Sequence, residues 1–349
     1  MPANPSTDRS NLVNALLIML TAITAVFILI MAKDILVPLV LGTFLALLLF
    51  PAAEQMERKG WPRILTNLVL IILFFAGLSG VIFVVVKLFF NFSEDLPFIK
   101  EQINQKILTF QGWLEGVIGM SPKQQQELFA SRTGMVFDTA GQLFKNIFTA
   151  TTGTIFKIGI LPVFTFMFLY YRDKFRQFLF KMLPQSTHYR ADNIIREISY
   201  VTPSYLKGLL IVVSILVVVN SAVFFFIGVR HPLFFGIVAA LFNLIPYLGT
   251  IIGYLVALVF VLGAQSLDVA VALVITFIVV QFVENNILTP NITGVNVSIN
   301  PFVTILMIVV GGMIWGLPGM FIVIPIMSMF KIACENIPNL RPIAFLIGV

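Results

Sequence analysis

The chain has 349 residues, of which 59% are hydrophobic and only 11% charged, with a formal net charge of +6 and a mean hydropathy of +1.00. A soluble domain of this length could not bury so much apolar surface and would carry about twice the charged fraction, so a soluble fold is excluded and an all-α polytopic membrane protein is expected. The basic residues lie between apolar runs, where topology and anionic lipid head groups explain them without nucleic acid.

The one cysteine, Cys334, cannot form an internal disulfide, and His188 and His231 are isolated from it and from each other. No metal-ligand spacing results, and no metal or other cofactor is expected. A Gly-rich phosphate loop, a nucleophile elbow and an HExxH motif are all missing from the sequence, so no enzyme activity is expected.

In chain order, residues 12–31 are apolar for about 20 residues, the length of a full span. A secretory signal has a shorter core, and here Lys33-Asp34 and a second span over 35–53 come at once, so the first is read as a retained helix. Pro38 lies in the first turn of the second span, where a missing N–H costs little. Loop 54–63 carries Arg58, Lys59 and Arg63, which places it and the N-terminus on the cytoplasmic side. Span three covers 64–86 and ends at Lys87, completing a three-span region over residues 1–90.

Residues 91–146 read as a helical insert, extracytoplasmic by alternation. Ser93, Glu94 and Asp95 resemble a helix start. Ile99, Ile103, Ile107, Phe110, Leu114 and Val117 then fall on one helical face. A second helix is expected from Ser121-Pro122 to Lys145. The stripe suits packing on the neighbouring helix or the membrane surface, and a heptad-like seam also suits a subunit contact.

Region 147–208 joins a fourth span, 147–170, to a basic loop. Lys157 in that span either snorkels to an interface or pairs with Glu284. Loop 171–208 holds Arg172, Lys174, Arg176, Lys181, Arg190, Arg196 and Lys207 against Asp173, Asp192 and Glu197, which anchors it in the cytoplasm. Phe175, Phe178, Leu179, Met182 and Leu183 give part of it the apolar face of an interfacial helix on the inner leaflet.

Region 209–349 opens with span five, 209–228, leading out to Arg230-His231-Pro232. The tract 233–263 is broken at Asn243, Pro246, Tyr247, Gly249 and Gly253, and each half is shorter than the roughly 17 residues a span needs. It is either one long helix kinked at Pro246 or a re-entrant hairpin. Span seven, 269–285, comes after Asp268 in a short turn and ends in Gln281, Glu284, Asn285 and Asn286. Pro290, Gly294, Asn300 and Pro301 then interrupt the chain. The last tract, 302–329, is broken at Gly311, Gly312, Gly316, Pro318 and Gly319, and Lys331 anchors the C-terminus. Two interrupted segments in one half of a membrane protein point to a transport site, whereas a lone GxxxG signals only close packing. If both tracts are hairpins, the first enters from outside and the second from inside.

A carboxylate at the centre of a spanning helix costs about 2.5–3.5 kcal/mol on insertion scales, and less near the interface. Broken backbone at membrane depth persists only where protein buries it or water reaches it. Both costs recur between 281 and 319. Glu284, with Gln281, Asn285, Asn286, Asn243 and Asn300, is therefore expected to line a water-filled cavity between the interrupted tracts. Such a glutamate can ligate a cation, carry a proton or accept hydrogen bonds from a hydroxylated solute, and carboxamides add both donors and acceptors. The competing reading has Glu284 capping a helix end at the interface, with asparagines closing free backbone groups.

At NLIPYLGTIIG (243–253) and QFVENNILTPNITGVNVSINPFVTILMIVVGGMIWGLPG (281–319) the chain resembles the autoinducer-2 exporter (AI-2E) family of bacterial membrane transporters. Asn243, Pro246, Gly249, the carboxamide-flanked Glu284, Pro290, Gly294, Pro301 and the glycine-rich run ending at Gly319 carry the resemblance. It implies a secondary permease of the bacterial inner membrane with about eight hydrophobic segments, both termini cytoplasmic, assembled as a homo-oligomer. Members resemble exporters of autoinducer-2 or sodium–proton antiporters. One departure is Asn291, where a basic residue commonly comes after the proline matching Pro290, so the resemblance does not carry an anion contact to that position. The expected function is export of a small polar solute such as autoinducer-2 with H+ or Na+ as coupling ion. The alternatives are a sodium–proton antiporter and a non-transporting membrane scaffold.

Overall fold

The computed structural model describes residues 5–118, 155–246, 248–293 and 299–349. Their helices are α1 (Pro5–Met31), α2 (Lys33–Arg58), α3 (Arg63–Ile118), α4 (Ile155–Tyr170), α5 (Arg172–Met182), α6 (His188–Phe226), α7 (Pro232–Phe242), α8 (Leu248–Ala264), α9 (Leu267–Val283), α10 (Thr289–Thr293), α11 (Pro301–Trp315), α12 (Leu317–Asn336) and α13 (Arg341–Ile347). There is no strand among the described residues, only an isolated antiparallel bridge between Ile299 and Gly348. Among the described residues five helices are long and apolar enough to cross a membrane, and shorter apolar helices accompany them. Side chains such as Ile18, Phe83, Phe225 and Phe282 stand exposed, as they do where hydrocarbon replaces water as the solvent. The all-α polytopic class is thus borne out.

Helix α3 departs from the expected layout. It runs unbroken for 56 residues, far beyond the roughly 20 needed to cross, so the third span and the start of the insert are one helix. Ser93 does not begin a new helix: its hydroxyl donates back to the Phe90 carbonyl at 2.8 Å. A serine bonded to the preceding turn is compatible with continued helix, and no glycine intervenes to stop it. The stripe from Ile99 to Val117 lies on this helical backbone, while the second expected helix, 121–145, lies outside the described residues. So does the side chain of Lys157.

The chain forms two compact units, one from Met1–Pro51, Ile160–Thr202 and Val297–Val349, the other from Ala52–Gly159 and Pro203–Asn296. In the first, the basic amphipathic segment is a helix of its own, α5, with Phe175, Phe178, Leu179 and Met182 exposed. Asp192 in α6 accepts from Arg176 at 2.6 Å and from Arg196 at 2.7 Å, tethering α5 to α6.

Both interrupted tracts fold back on themselves, which removes the kinked-helix alternative. In the second unit α7 and α8 run antiparallel, as contacts between Phe242 and Gly249, Ala239 and Gly253, and Phe235 and Phe260 show. The helices approach closely because the residues between them are small. A Cβ on Gly249 would overlap the Phe242 carbonyl oxygen, and one on Gly253 would lie 2.6 Å from Ala239 Cα. In the first unit α11 and α12 close in the same way. A Cβ on Gly311 would sit 2.6 Å from the Gly319 oxygen, and Gly316 makes the turn with a φ of +65°.

The two tips differ. In the first hairpin Asn243 and Ile245 are buried, so the tip ends inside protein. In the second, Gly316 is exposed, and the neighbouring Trp315 donates its indole N–H to the Leu29 carbonyl at 2.9 Å, close to the end of α1. Toward the base of the first hairpin the second unit is packed with rings. Phe92 of α3 stacks on Phe234 at 4.9 Å and meets Phe235 and Phe260 edge-on.

Candidate functional site

Helix α9 turns Ala270, Leu273 and Thr276 inward, and the buried face continues to Glu284, which is 6% exposed. At Glu284 the helix widens into a π turn over Glu284–Leu288, closed by the Thr289 N–H donating to the Glu284 carbonyl. The cause lies downstream. Pro290 has no N–H and its ring collides with a carbonyl one turn back, and an added residue in the turn relieves that conflict. Two asparagine side chains serve the same stretch of backbone: Asn286 Nδ2 donates to Phe282 O and Asn291 Nδ2 to Ile287 O, each at 2.8 Å.

The carboxylate of Glu284 is held by two amides. Asn243 Nδ2 donates to Oε1 at 2.5 Å, and Gln281 Nε2 to Oε2 at 3.3 Å. Asn243 caps the C-terminal end of α7, so the tip of the first hairpin is fastened to α9 through the acid. Among the described residues no lysine, arginine or histidine side chain forms an ion pair with Glu284. Among the described residues the acid has neutral donors, and amides can exchange such bonds for bonds to an incoming polar ligand.

Gln281, Glu284 and Asn243 therefore come together. Asn285 is exposed, and Asn286 is occupied with backbone. Asn300 belongs to the first unit, where it caps α11: its Oδ1 accepts from the Val303 N–H at 2.8 Å and its Nδ2 donates to Leu346 O at 2.8 Å. Among the expected break points, Pro246 lies in the tip of the first hairpin and Gly249 and Gly253 in its interface. Pro290 is exposed in α10, Pro301 opens α11 and Pro318 lies in the first turn of α12. Gly311, Gly312, Gly316 and Gly319 form the second hairpin's contact and turn. Gly294 lies outside the described residues. No group of three or more His, Cys, Asp or Glu able to hold a metal occurs among the described residues.

Of the buried polar residues outside the sequence motifs, two pair with each other across helices. Tyr254 of α8 donates its hydroxyl to Asn220 Oδ1 of α6 at 2.7 Å. An asparagine in mid-span is the signal that could have found them, since an amide there must find a partner in the protein.

A family model described as "AI-2E family transporter" matches residues 16–339. The chain belongs to that family. It is 28% identical over 321 residues, 88% of either chain, to the Bacillus subtilis (strain 168) protein named "Putative transport protein YrrI". It is 24% identical over 319 residues, 91% of this chain and 89% of the other, to "Putative transport protein YhhT" of Escherichia coli (strain K12). A third relative, "Putative transport protein MT0215" of Mycobacterium tuberculosis (strain CDC 1551 / Oshkosh), is 25% identical over 343 residues, 94% of this chain and 90% of the other. The AI-2E chain is accordingly a multi-pass membrane protein of a transporter family, and its paired hairpins and the Glu284 site lie within the matched range.

Proposed function

We propose that this AI-2E chain is a secondary exporter of a small polar solute, with autoinducer-2 as the solute to test first and a proton or sodium ion as the coupling species. The observation that carries the reading is Glu284: a buried acid with no basic partner among the described residues, held by Asn243 and Gln281 where a hairpin tip meets a π turn. A buried carboxylate can bind a proton or a cation at a lower cost than it can remain charged alone. Its two amide partners offer the donors and acceptors that a hydroxylated solute requires. Exchange of ligand at the acid is then coupled to separation of the hairpin tip from α9.

Charge sets the orientation of this reading. The basic residues of 54–63 and 171–208 keep those loops and both termini in the cytoplasm of a bacterial inner membrane. The first hairpin then enters from the extracytoplasmic side, with Arg230 and His231 at its base. A sodium–proton antiporter is the second reading, favoured by the same acid with its neutral amide neighbours.

The test is flux from proteoliposomes loaded with autoinducer-2, under imposed proton or sodium gradients. The wild-type protein is expected to release the solute faster than protein-free vesicles, and Glu284→Gln to release it no faster than they do while keeping its elution profile. Equal flux in wild type and Glu284→Gln removes the acid from the mechanism. Sodium-driven proton movement without any solute flux selects the antiporter.

A further inference from the structure

The second unit holds another polar pair in the same interior as the acid. Asn220 lies in the last third of α6 and is 2% exposed, and Tyr254 of α8 is 6% exposed. Their hydrogen bond crosses between the two helices. The tyrosine ring rests edge-on against Phe224 at 5.4 Å and lies 4.9 Å from Phe277 of α9. Phe277 precedes Glu284 by seven residues, two helical turns on one face, or about 10 Å of rise. Along α8, Tyr254 lies five residues past Gly249, about 7.5 Å of rise, and Gly249 packs beneath Asn243. Thr250, also buried, lies one turn nearer the tip than Tyr254. Polar side chains thus step from the acid at the hairpin tip toward the hairpin base, until the rings of Phe92, Phe234, Phe235 and Phe260 close the way.

Resting on the export reading, we propose that Tyr254 and Asn220 form a second contact point for the transported solute, on the extracytoplasmic side of Glu284. An interhelical hydrogen bond alone would need nothing more, since such bonds hold membrane helices together at about 0.6–2 kcal/mol each. This pair keeps unused capacity, however. The tyrosine oxygen that donates still has acceptor lone pairs, and the asparagine that accepts still has an NH2 group with two donors. That is the same chemistry Asn243 and Gln281 present to Glu284. An offset of about 7–10 Å along the helix axes is one that a small polyhydroxylated molecule, or one or two waters, can bridge. A solute leaving the acid outward meets hydroxyl and amide before it meets the aromatic plug.

The experiment has two arms, and the first does not depend on which solute is carried. In a Cys334→Ser background, Tyr254→Cys, Asn220→Cys and, as control, Leu273→Cys are exposed to a small membrane-impermeant thiol reagent from the extracytoplasmic side. Leu273 is buried in the same hydrophobic cluster as Tyr254 but carries no polar group. Faster labelling at 254 or 220 than at 273 is expected; labelling at neither position faster than at 273 overturns the proposal. In the second arm, Tyr254→Phe retains the ring and removes only the hydroxyl. Its KM for autoinducer-2 should rise about fivefold, the equivalent of one net hydrogen bond, beside a modest fall in melting temperature from the lost bond to Asn220. An unchanged KM overturns the proposal. If the wild type carries no autoinducer-2, the substrate assignment fails, and the labelling arm alone decides whether 220 and 254 line an aqueous route.

Discussion

Asn243 and Glu284, separated by 41 positions, meet in a buried hydrogen bond of 2.5 Å. Through it the tip of the first hairpin and the widened turn after α9 act as one joint. Asn243→Leu removes the donor to Oε1 and leaves Gln281 on the acid among the described residues. A buried polar group deprived of a partner costs about 1–3 kcal/mol. Lower thermal stability in detergent and loss of most of the flux are expected together. Flux that persists at the wild-type rate would separate the joint from transport.

Much of this site is legible in the residues alone. Glu284 stands out because an acid at the end of an apolar run needs a reason, and the Gly249/Gly253 and Gly311–Gly319 runs mark where helices must touch. The pairing of Asn243 with Glu284 emerges only in outline, since nothing local says which of several amides reaches the acid. Asn286 lies two residues from Glu284 in sequence but bonds to Phe282 O instead, because side chains two apart on a helix point to opposite sides. Ser93 resembles a helix start, yet a serine can bond back to its own helix, and only the continuous backbone of α3 decides between the two. Asn300 resembles a lining residue, but its partners lie 46 and 48 residues away near the C-terminus, beyond the reach of any local pattern.

Asn300 therefore yields a prediction opposite in kind to Asn243. Its side chain caps α11 and also donates to the carbonyls of Leu346 and Gly348, while its backbone N–H donates to Ile347 O at 2.9 Å. Asn300→Ala should cost about 0.5–2 kcal/mol through the lost cap and release α13 from the base of the second hairpin. Faster proteolysis near residue 341 is expected, with the KM for solute unchanged. A raised KM would instead place Asn300 at the transported molecule.

The first hairpin depends on glycine for contact and the second also for conformation, and alanine substitutions tell these apart. Gly249→Ala and Gly253→Ala place a methyl group against the Phe242 carbonyl and Ala239, and overpacking of this kind costs about 1–3 kcal/mol. Gly316→Ala meets nothing within 4 Å but forces a side chain onto a φ of +65°, a strain of about 1–3 kcal/mol. Gly77→Ala in α3 has open space and no positive φ, so its melting temperature should match or slightly exceed wild type. A fall at Gly77 as large as at Gly249 would show that contact with the Phe242 carbonyl is not what distinguishes these positions, since helix propensity alone favours alanine.

The base of the first hairpin is held by charges. Asp95 of α3 pairs with His231 at 2.8 Å and Arg230 at 3.4 Å. One stretch further along α3, Lys106 donates to the carbonyls of Leu262 and Gln265 at the end of α8. Gln265 in turn accepts from the Arg230 N–H and donates to Gly228 O. These groups are partly exposed, and such pairs contribute only about 0.2–1 kcal/mol each, so the set closes the base of the hairpin without locking it. On the orientation proposed above, opening this clasp and parting the rings of Phe92 and Phe234 beneath it would clear the way from Tyr254 to the extracytoplasmic side. In a Cys334→Ser background, Asp95→Cys with His231→Cys joined by a short thiol cross-linker should stop flux, and a cleavable linker should restore it on reduction. Either cysteine alone, treated identically, should retain flux. Full flux from the cross-linked pair would mean that solute leaves by a route that does not require α3 and the hairpin base to separate.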